Sequence, residues 1–336
     1  MEELLNISNL KTQFFTKKGI VPAVDGVSIT ISKGSVVGIV GESGCGKSMT
    51  AMSVMQLIQK PGKITDGKIV LQGENLLKYS KEQMRNVRGD KISMIFQEPM
   101  TALNPVYTVG KQVTEAITIH HREKSREEAK EKTLEIFRAV GIPEPEKRFY
   151  SYPHQLSGGL RQRVMIGMAM VCNPKLMIAD EPTTALDVTI EAQILSLMKN
   201  LQKERGTSIL LITHNLGVVA EICDYVYVMY AGKIMEQANA FELFKNTAHQ
   251  YTDGLMKSIP KITAQKQQLY NIRGMVPNLM RLPKGCRFCP RCEKAMPRCF
   301  EQEPPLYRVK SEYGDEGHYV RCFLHENSEV KEDEQP

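Results

Sequence analysis

Gly41-Glu-Ser-Gly-Cys-Gly-Lys47-Ser48 fits the pattern G-x-x-x-x-G-K-[ST]. Residues of these types at this spacing make a cradle for a phosphate chain. Gly41, Gly44 and Gly46 let the backbone approach a phosphate closely, with N–H groups turned inward. Ser43 and Cys45 lie in the same turn. A helix beginning near Lys47 adds the partial positive charge of its N-terminus around Ser48 and Met49. Lys47 should reach the β- and γ-phosphates, and Ser48 should ligate Mg2+. A second stretch, Leu176-Met-Ile-Ala-Asp180-Glu181, is an apolar strand ending in two carboxylates. A strand of that kind presents its acids at the sheet's C-terminal edge, where ligands bind. Asp180 should hold Mg2+ through water, and Glu181 should polarise an attacking water. Alone, the acid pair could equally cap a following helix. With the phosphate loop upstream, the chemistry expected is binding and hydrolysis of a nucleoside triphosphate with Mg2+.

The thiols form the other concentration of reactive groups. Cys45, Cys172 and Cys223 are scattered, whereas Cys286, Cys289, Cys292, Cys299 and Cys322 crowd the C-terminal end. The N-terminus, Met-Glu-Glu-Leu-Leu, lacks a basic region and a long apolar core, so no secretory signal is expected. No apolar run approaches the ~18–20 residues needed to span a membrane. A reducing cytosol is the expected compartment, and clustered thiols there more often bind metal than form disulfides.

These groups need a scaffold. The chain has 336 residues, more than one usual domain, and 42% hydrophobic and 24% charged residues, which excludes disorder and collagen-like structure. The net charge of +6 is compatible with an anionic ligand or a membrane surface but demands neither. Apolar patterning predicts strands at Leu4–Ile7, Val21–Ile31, Ser35–Val40, Lys68–Leu71, Lys91–Phe96, Lys175–Ala179, Ser208–Ile212 and Tyr225–Met229. It predicts helices over Lys47–Ile58 and Ile190–Arg205, and helical periodicity from Thr108 to about Val171. Strands alternating with helices argue for an α/β core with a largely parallel sheet. Beyond about residue 260, Pro, Cys and charge replace apolar periodicity, and a boundary is expected there. Glu326 to Pro336 reads as a frayed tail.

Further motifs identify a family. Leu156-Ser157-Gly158-Gly159-Leu-Arg-Gln162-Arg163 resembles the signature sequence of ABC ATPases. Phe96-Gln97-Glu-Pro resembles their Q-loop, Thr184-Ala-Leu-Asp187 their D-loop and Thr213-His214 their switch histidine. Three longer stretches look like the ATP-binding subunits of oligopeptide and dipeptide ABC importers. They are Phe96-Gln-Glu-Pro-Met-Thr-Ala-Leu-Asn-Pro105, His249-Gln-Tyr-Thr-Asp-Gly-Leu-Met-Lys-Ser-Ile-Pro260 and Gly274-Met-Val-Pro277. The Cys-rich tail is a fourth point of likeness. The resemblance implies a phosphate-loop ATPase core over residues 1–260, with an antiparallel β subdomain and a helical insert at about 98–172. A small C-terminal extension, residues 261–336, carries the Cys-rich motif.

The resemblance also implies roles. Two ATPase domains would sandwich ATP head to tail, the phosphate loop of one facing Ser157, Gly158, Gly159 and Gln162 of the other. The sequence agrees with part of this: the Ser-Gly-Gly precedes an apolar helical run, Val164–Val171, and so marks a second helix N-terminus. Gln162 is otherwise a polar residue on an exposed helix face. Gln97 would contact Mg2+ and the attacking water, and residues of about 98–112 would touch a permease. His214 would bond the γ-phosphate, and Asp187 would act across the dimer as well as capping a helix. Phe14 or Phe15 would give the adenine an apolar platform, with Phe14 the better spaced.

Cys286, Cys292, Cys299 and Cys322 match the family's four-cysteine pattern, which holds a [4Fe–4S] cluster; zinc suits the same thiolates. Cys289 stands where the family usually has His, and is an alternate ligand, with His318 a weaker one. The partners implied are two membrane permease subunits, a second and related ATPase chain, and indirectly an extracytoplasmic peptide-binding protein. No nucleic acid is implied. The implied location is peripheral, on the cytoplasmic face of the cell membrane. Two other readings stand beside this one: the ATPase of a nickel or other solute importer, and a soluble ABC ATPase outside transport. The absence of sustained heptads and the single phosphate loop speak against the soluble reading. The transported solute is set by other subunits.

Overall fold

A computed structural model of the chain describes residues 2–97, 102–122, 124–184, 186–259, 270–311, 313 and 317–331. In chain order the elements begin with strands β1 (Glu3–Thr16), β2 (Gly19–Ser32) and β3 (Val36–Val40), and helix α1 (Lys47–Val54). Strands β4 (Gly62–Leu71) and β5 (Glu74–Asn75), helix α2 (Lys81–Val87) and strand β6 (Ile92–Ile95) follow. Next come α3 (Val109–His120), α4 (Arg126–Ala139), a single helical turn at Pro145–Arg148 and α5 (Gly158–Met170), then β7 (Leu176–Asp180), α6 (Val188–Arg205) and β8 (Ser208–Thr213). The remainder comprises α7 (Leu216–Ile222), β9 (Tyr225–Tyr230), β10 (Lys233–Asn239), α8 (Ala240–Lys245), α9 (Gln250–Lys257), α10 (Pro297–Glu301), β11 (Tyr307–Val309) and β12 (His318–Val320).

The chain divides into two compact units. The first is Met1–Leu4, Ile31–Ser35 and Lys78–Leu211. Its strands β6 and β7 pair in parallel, with Ile92 opposite Leu176 and Ile95 opposite Ala179. Every residue of β7 is buried, as expected of an apolar run in a sheet covered on both faces. Helices α3, α4 and α5 carry the helical periodicity read from the sequence. Thr108 caps α3, accepting from Lys111 N–H, and Ser125 and Glu128 form a capping box on α4. Val113 and Ile117 of α3, Ile136 and Phe137 of α4, and Val164 and Ile166 of α5 are buried.

The second unit is Leu5–Thr30, Val36–Leu77 and Ile212–Pro336. One sheet runs in the order β2-β1-β4-β5, with β1 antiparallel to β4 and β4 antiparallel to β5. In a second set of strands β3 is parallel to β9, Val37 facing Tyr225 and Val40 facing Val228. Strand β10 is antiparallel to β9, β12 to β10 and β11 to β12. The C-terminal strands therefore extend the run of strands that holds β3.

Several expectations need correction. Helix α1 stops at Val54 rather than Ile58: Gln56 takes a left-handed φ of 49°, and Pro61 follows soon after. Residues 326–331 are not frayed: Lys331 N–H donates to Leu306 O at 2.8 Å, and Tyr307 bridges to Val330. Residues 332–336 lie outside the described residues, as does the boundary expected near residue 260.

Candidate functional site

Strand β3, buried along its length, delivers the chain into the glycine-rich loop. Gly41 and Gly46 have positive φ, 153° and 110°. A Cβ on Gly41 would come within 2.1 Å of Met229 O, and one on Gly46 within 2.3 Å of Ala23 O. Only glycine allows the loop this close to the neighbouring backbone. Gly46 occupies the cap position of α1 with no side-chain cap, so the helix opens on backbone N–H groups without a side chain in front of them. The Lys47 ammonium is buried and donates to Gly41 O at 2.7 Å and Glu42 O at 3.2 Å. Burial raises the Cys45 thiol above its usual range, against the pull of Lys47, and so favours the neutral thiol at this position. The cradle is one that a Cβ would fill, with a cation at its floor, and it suits a phosphate chain with its Mg2+.

Phe14 lies opposite Gly62 in the β1–β4 pair, where a Cβ on Gly62 would come 2.7 Å from Phe14 Cε1. Phe15 is exposed, with Lys63 Nζ 5.9 Å from its ring centroid. Thr213 ends β8, and His214 beyond it is exposed. Asn215 then caps α7, accepting from Gly217 N–H at 3.0 Å.

In the first unit the acid pair ends β7. Asp180 is buried, and Glu181 leaves the strand with a left-handed φ of 47°. The parallel register that sets Ile95 beside Ala179 brings the following residues of both strands together. As a result Gln97 Nε2 donates to Glu181 Oε2 at 3.0 Å. Thr184 Oγ1 donates to the same oxygen at 2.9 Å. Sequence reasoning did not single out Thr184 for this contact. Glu98–Thr101, part of the stretch expected to touch a permease, and Ala185 lie outside the described residues.

Ser157 caps α5, its hydroxyl accepting from Leu160 N–H at 3.4 Å, with Gly158 and Gly159 forming the first helical turn. A Cβ on Gly159 would stand 3.0 Å from Ile190 Cγ2, so the glycine lets α5 approach the start of α6. Asp187 caps α6, accepting from Ile190 N–H at 3.0 Å. Gln162 is a correction. It is fully buried rather than on an exposed helix face, and its amide donates to Pro182 O just after the acid pair.

All five C-terminal cysteines, Cys286, Cys289, Cys292, Cys299 and Cys322, are free and line one cavity, together with His249, Phe288 and Phe323. Burial pushes the Cys286 thiol up to about 12 and those of Cys289 and Cys322 to about 11. Among the described residues, no group of three or more His, Cys, Asp or Glu could hold a metal ion. The donor chemistry suits a metal, but the thiols as placed do not converge on one. His318 is a second correction, for it is absent from the cavity lining. Its Nε2 lies 2.8 Å from Glu236 Oε1 and its Nδ1 3.4 Å from Glu242 Oε1, with all three side chains fully buried. Both ring nitrogens are thus engaged by carboxylates. No helix among the described residues is long and apolar enough to cross a membrane.

Comparison with known proteins agrees with the geometry. Residues 24–184 match the ABC transporter family, and residues 235–299 match the C-terminal region of oligopeptide/dipeptide transporters. The oligopeptide transport ATP-binding protein AppD of Bacillus subtilis is 52% identical over 327 residues, 97% of this chain and 98% of that protein. The dipeptide transport ATP-binding protein DppD of the same organism is 46% identical, covering 96% of this chain and 95% of its own length. A dimeric ATP-binding cassette solved in a post-hydrolysis state with ADP and Pi superimposes with a TM-score of 0.64. It shares 27% identity and covers 70% of this chain and 99% of its own. The chain therefore belongs to the ABC transporter ATPases, within the group of oligopeptide and dipeptide transport ATP-binding subunits.

Proposed function

We propose that this chain is the ATP-binding and ATP-hydrolysing subunit that powers uptake of oligopeptides or dipeptides through an ABC importer. One observation carries the reading: the likeness to peptide-transport subunits runs over 97% of the chain, so it takes in phosphate loop and Cys-rich tail alike.

Residue roles follow from the phosphate-loop chemistry and from what the family resemblance implies. Gly41, Ser43, Gly44, Cys45, Gly46, Lys47, Ser48 and Met49 hold the ATP phosphates, with Phe14 under the adenine. Ser48, Gln97 and Asp180 serve Mg2+. Glu181 takes the proton of the attacking water, and His214 bonds the γ-phosphate. Ser157, Gly158 and Gly159 meet the nucleotide of a second ATPase chain, Gln162 stays buried behind them against the Pro182 carbonyl, and Asp187 acts across the same contact. Hydrolysis does mechanical work only if ATP binds the closed pair better than the open one. The pair would then close on two permease subunits at the cytoplasmic face, fed by an extracytoplasmic peptide-binding protein. The second ATPase is a related chain.

In the tail, Cys286, Cys292, Cys299 and Cys322, with Cys289 as alternate, would hold a [4Fe–4S] cluster or, alternatively, zinc. Loading would require the thiols to draw together and to deprotonate, since thiolates are the ligands.

The test is the Glu181→Gln protein. It is expected to bind ATP and to accumulate an ATP-dependent dimer with its partner ATPase while failing to turn over. A variant that hydrolyses ATP at the wild-type rate would overturn the role given to Glu181.

A further inference from the structure

Glu42 is the second residue of the phosphate loop and puts a carboxylate there. A carboxylate beside a site built for a polyanion repels what the loop must attract. The C-terminal extension supplies its partner. Arg291 Nη1 donates to Glu42 Oε2 at 2.6 Å and Nη2 donates to Glu42 Oε1 at 3.1 Å, the two-pronged geometry that makes arginine–carboxylate pairs strong. The same guanidinium donates through Nη1 to the Tyr230 hydroxyl at 3.3 Å and through Nη2 to Ile272 O at 3.3 Å. Nε donates to Arg273 O at 2.9 Å. Its Cζ lies 5.8 Å from the centroid of the Tyr230 ring and 5.9 Å from that of Phe288. The arginine side chain is only 5% exposed, so it is fixed rather than sweeping through solvent.

The backbone of Glu42 is held from the same side of the chain. Its N–H donates to the Tyr251 hydroxyl, on α9, at 2.8 Å. Arg287, four residues before Arg291, donates to Asp25 and to Ala231 O. The adjoining Gly232 N–H donates to Cys45 O at 2.8 Å. Segment 286–292 thus braces the phosphate loop at Glu42 and, through the turn at Ala231 and Gly232, supports it at Cys45.

We propose that Arg291 is a positioning residue for nucleotide binding: it neutralises Glu42 and holds it in place, so that the phosphate loop presents its N–H groups without a free carboxylate beside them. The C-terminal extension is then part of the ATP machinery of its own chain. The inference rests on the reading that residues 41–48 hold the phosphates of ATP.

The experiment is titration of the purified full-length chain with MgATP, with steady-state hydrolysis alongside. Arg291→Gln should weaken ATP binding about tenfold and leave turnover at saturating ATP within about twofold of wild type. Glu42→Gln alone should bind as tightly as wild type or more tightly, because the repelling charge is gone. The pair Glu42→Gln/Arg291→Gln should return to within about threefold of wild type, and it also guards against misfolding caused by an unpaired buried charge. Arg291→Lys should fall between, since one ammonium cannot reproduce the fork. Arg291→Gln binding ATP like wild type would overturn the proposal. So would a double variant as weak as Arg291→Gln, which would mean that only packing had been lost. If Lys47→Ala binds ATP as well as wild type, the phosphate-loop reading fails, and the proposal with it.

Discussion

Glu181 Oε2 accepts from both Gln97 and Thr184, so the proposed water-activating oxygen is held by two donors. Both bonds fix the orientation of the carboxylate at the end of β7. Glu181→Gln should cut turnover by about 10²–10³-fold with ATP binding retained; steady-state hydrolysis and nucleotide titration read the two effects separately. Thr184→Ala should lower turnover by less, because Gln97 remains. Gly46→Ala should abolish nucleotide binding or destabilise the chain by about 1–3 kcal/mol or more, since the added Cβ meets Ala23 O at a left-handed φ. Binding and thermal melting check that outcome. Glycines, Lys47 and the acid pair were legible in the sequence because phosphate chemistry dictates their types and spacing. The pairing of Glu42 with Arg291 was not, because 249 positions separate the two residues. Gln162 misled for a related reason: a polar residue on a helix reads as exposed until its partner, the Pro182 carbonyl, is known.

Strand β10 shows why some elements escaped the sequence reading. Lys233–Asn239 carries Glu236 and Gln237 at fully or nearly fully buried positions, and no apolar pattern announces a strand there. Glu236 is satisfied by Ala248 N–H at 2.7 Å, His249 N–H at 3.0 Å and His318, a set drawn from two other parts of the chain. By contrast β3, β7 and β8 were legible, being short runs buried throughout. Burial alone would lower the affinity of His318 for a proton, but the bonds and charges of Glu236 and Glu242 outweigh it, and the net direction is upward from 6.5. A histidine whose folded value lies above its unfolded one contributes its full stability below the unfolded value and loses it as pH rises through the folded one. The melting temperature should therefore fall as pH climbs from about 6 to about 9, more steeply in wild type than in His318→Gln. Equal slopes in the two proteins would contradict this account of the β10–β12 junction. At the start of α4, Ser125→Ala should cost about 1 kcal/mol by removing one arm of the capping box, measurable by denaturant unfolding.

The whole molecule combines an ATPase with a tail whose five thiols face one cavity. If the proposed cluster forms, anaerobic purification gives a brown protein containing iron and sulfide; a colourless protein holding zinc would overturn the cluster in favour of the alternative ion. The family and its ATPase motifs were legible at this scale because long motifs survive in order along the chain. The joining of the tail's strands to β10 was not, since β11 and β12 are three residues each and carry no periodicity of their own. The central claim is that hydrolysis by this chain drives peptide import. Its most direct test is uptake of a labelled oligopeptide into vesicles containing the two permease subunits, the paired ATPase chains and the peptide-binding protein. Uptake is predicted to require ATP on the side of the ATPase subunits and to vanish with Glu181→Gln in this chain. Peptide accumulation that continues unchanged with the variant, or without ATP, would contradict it.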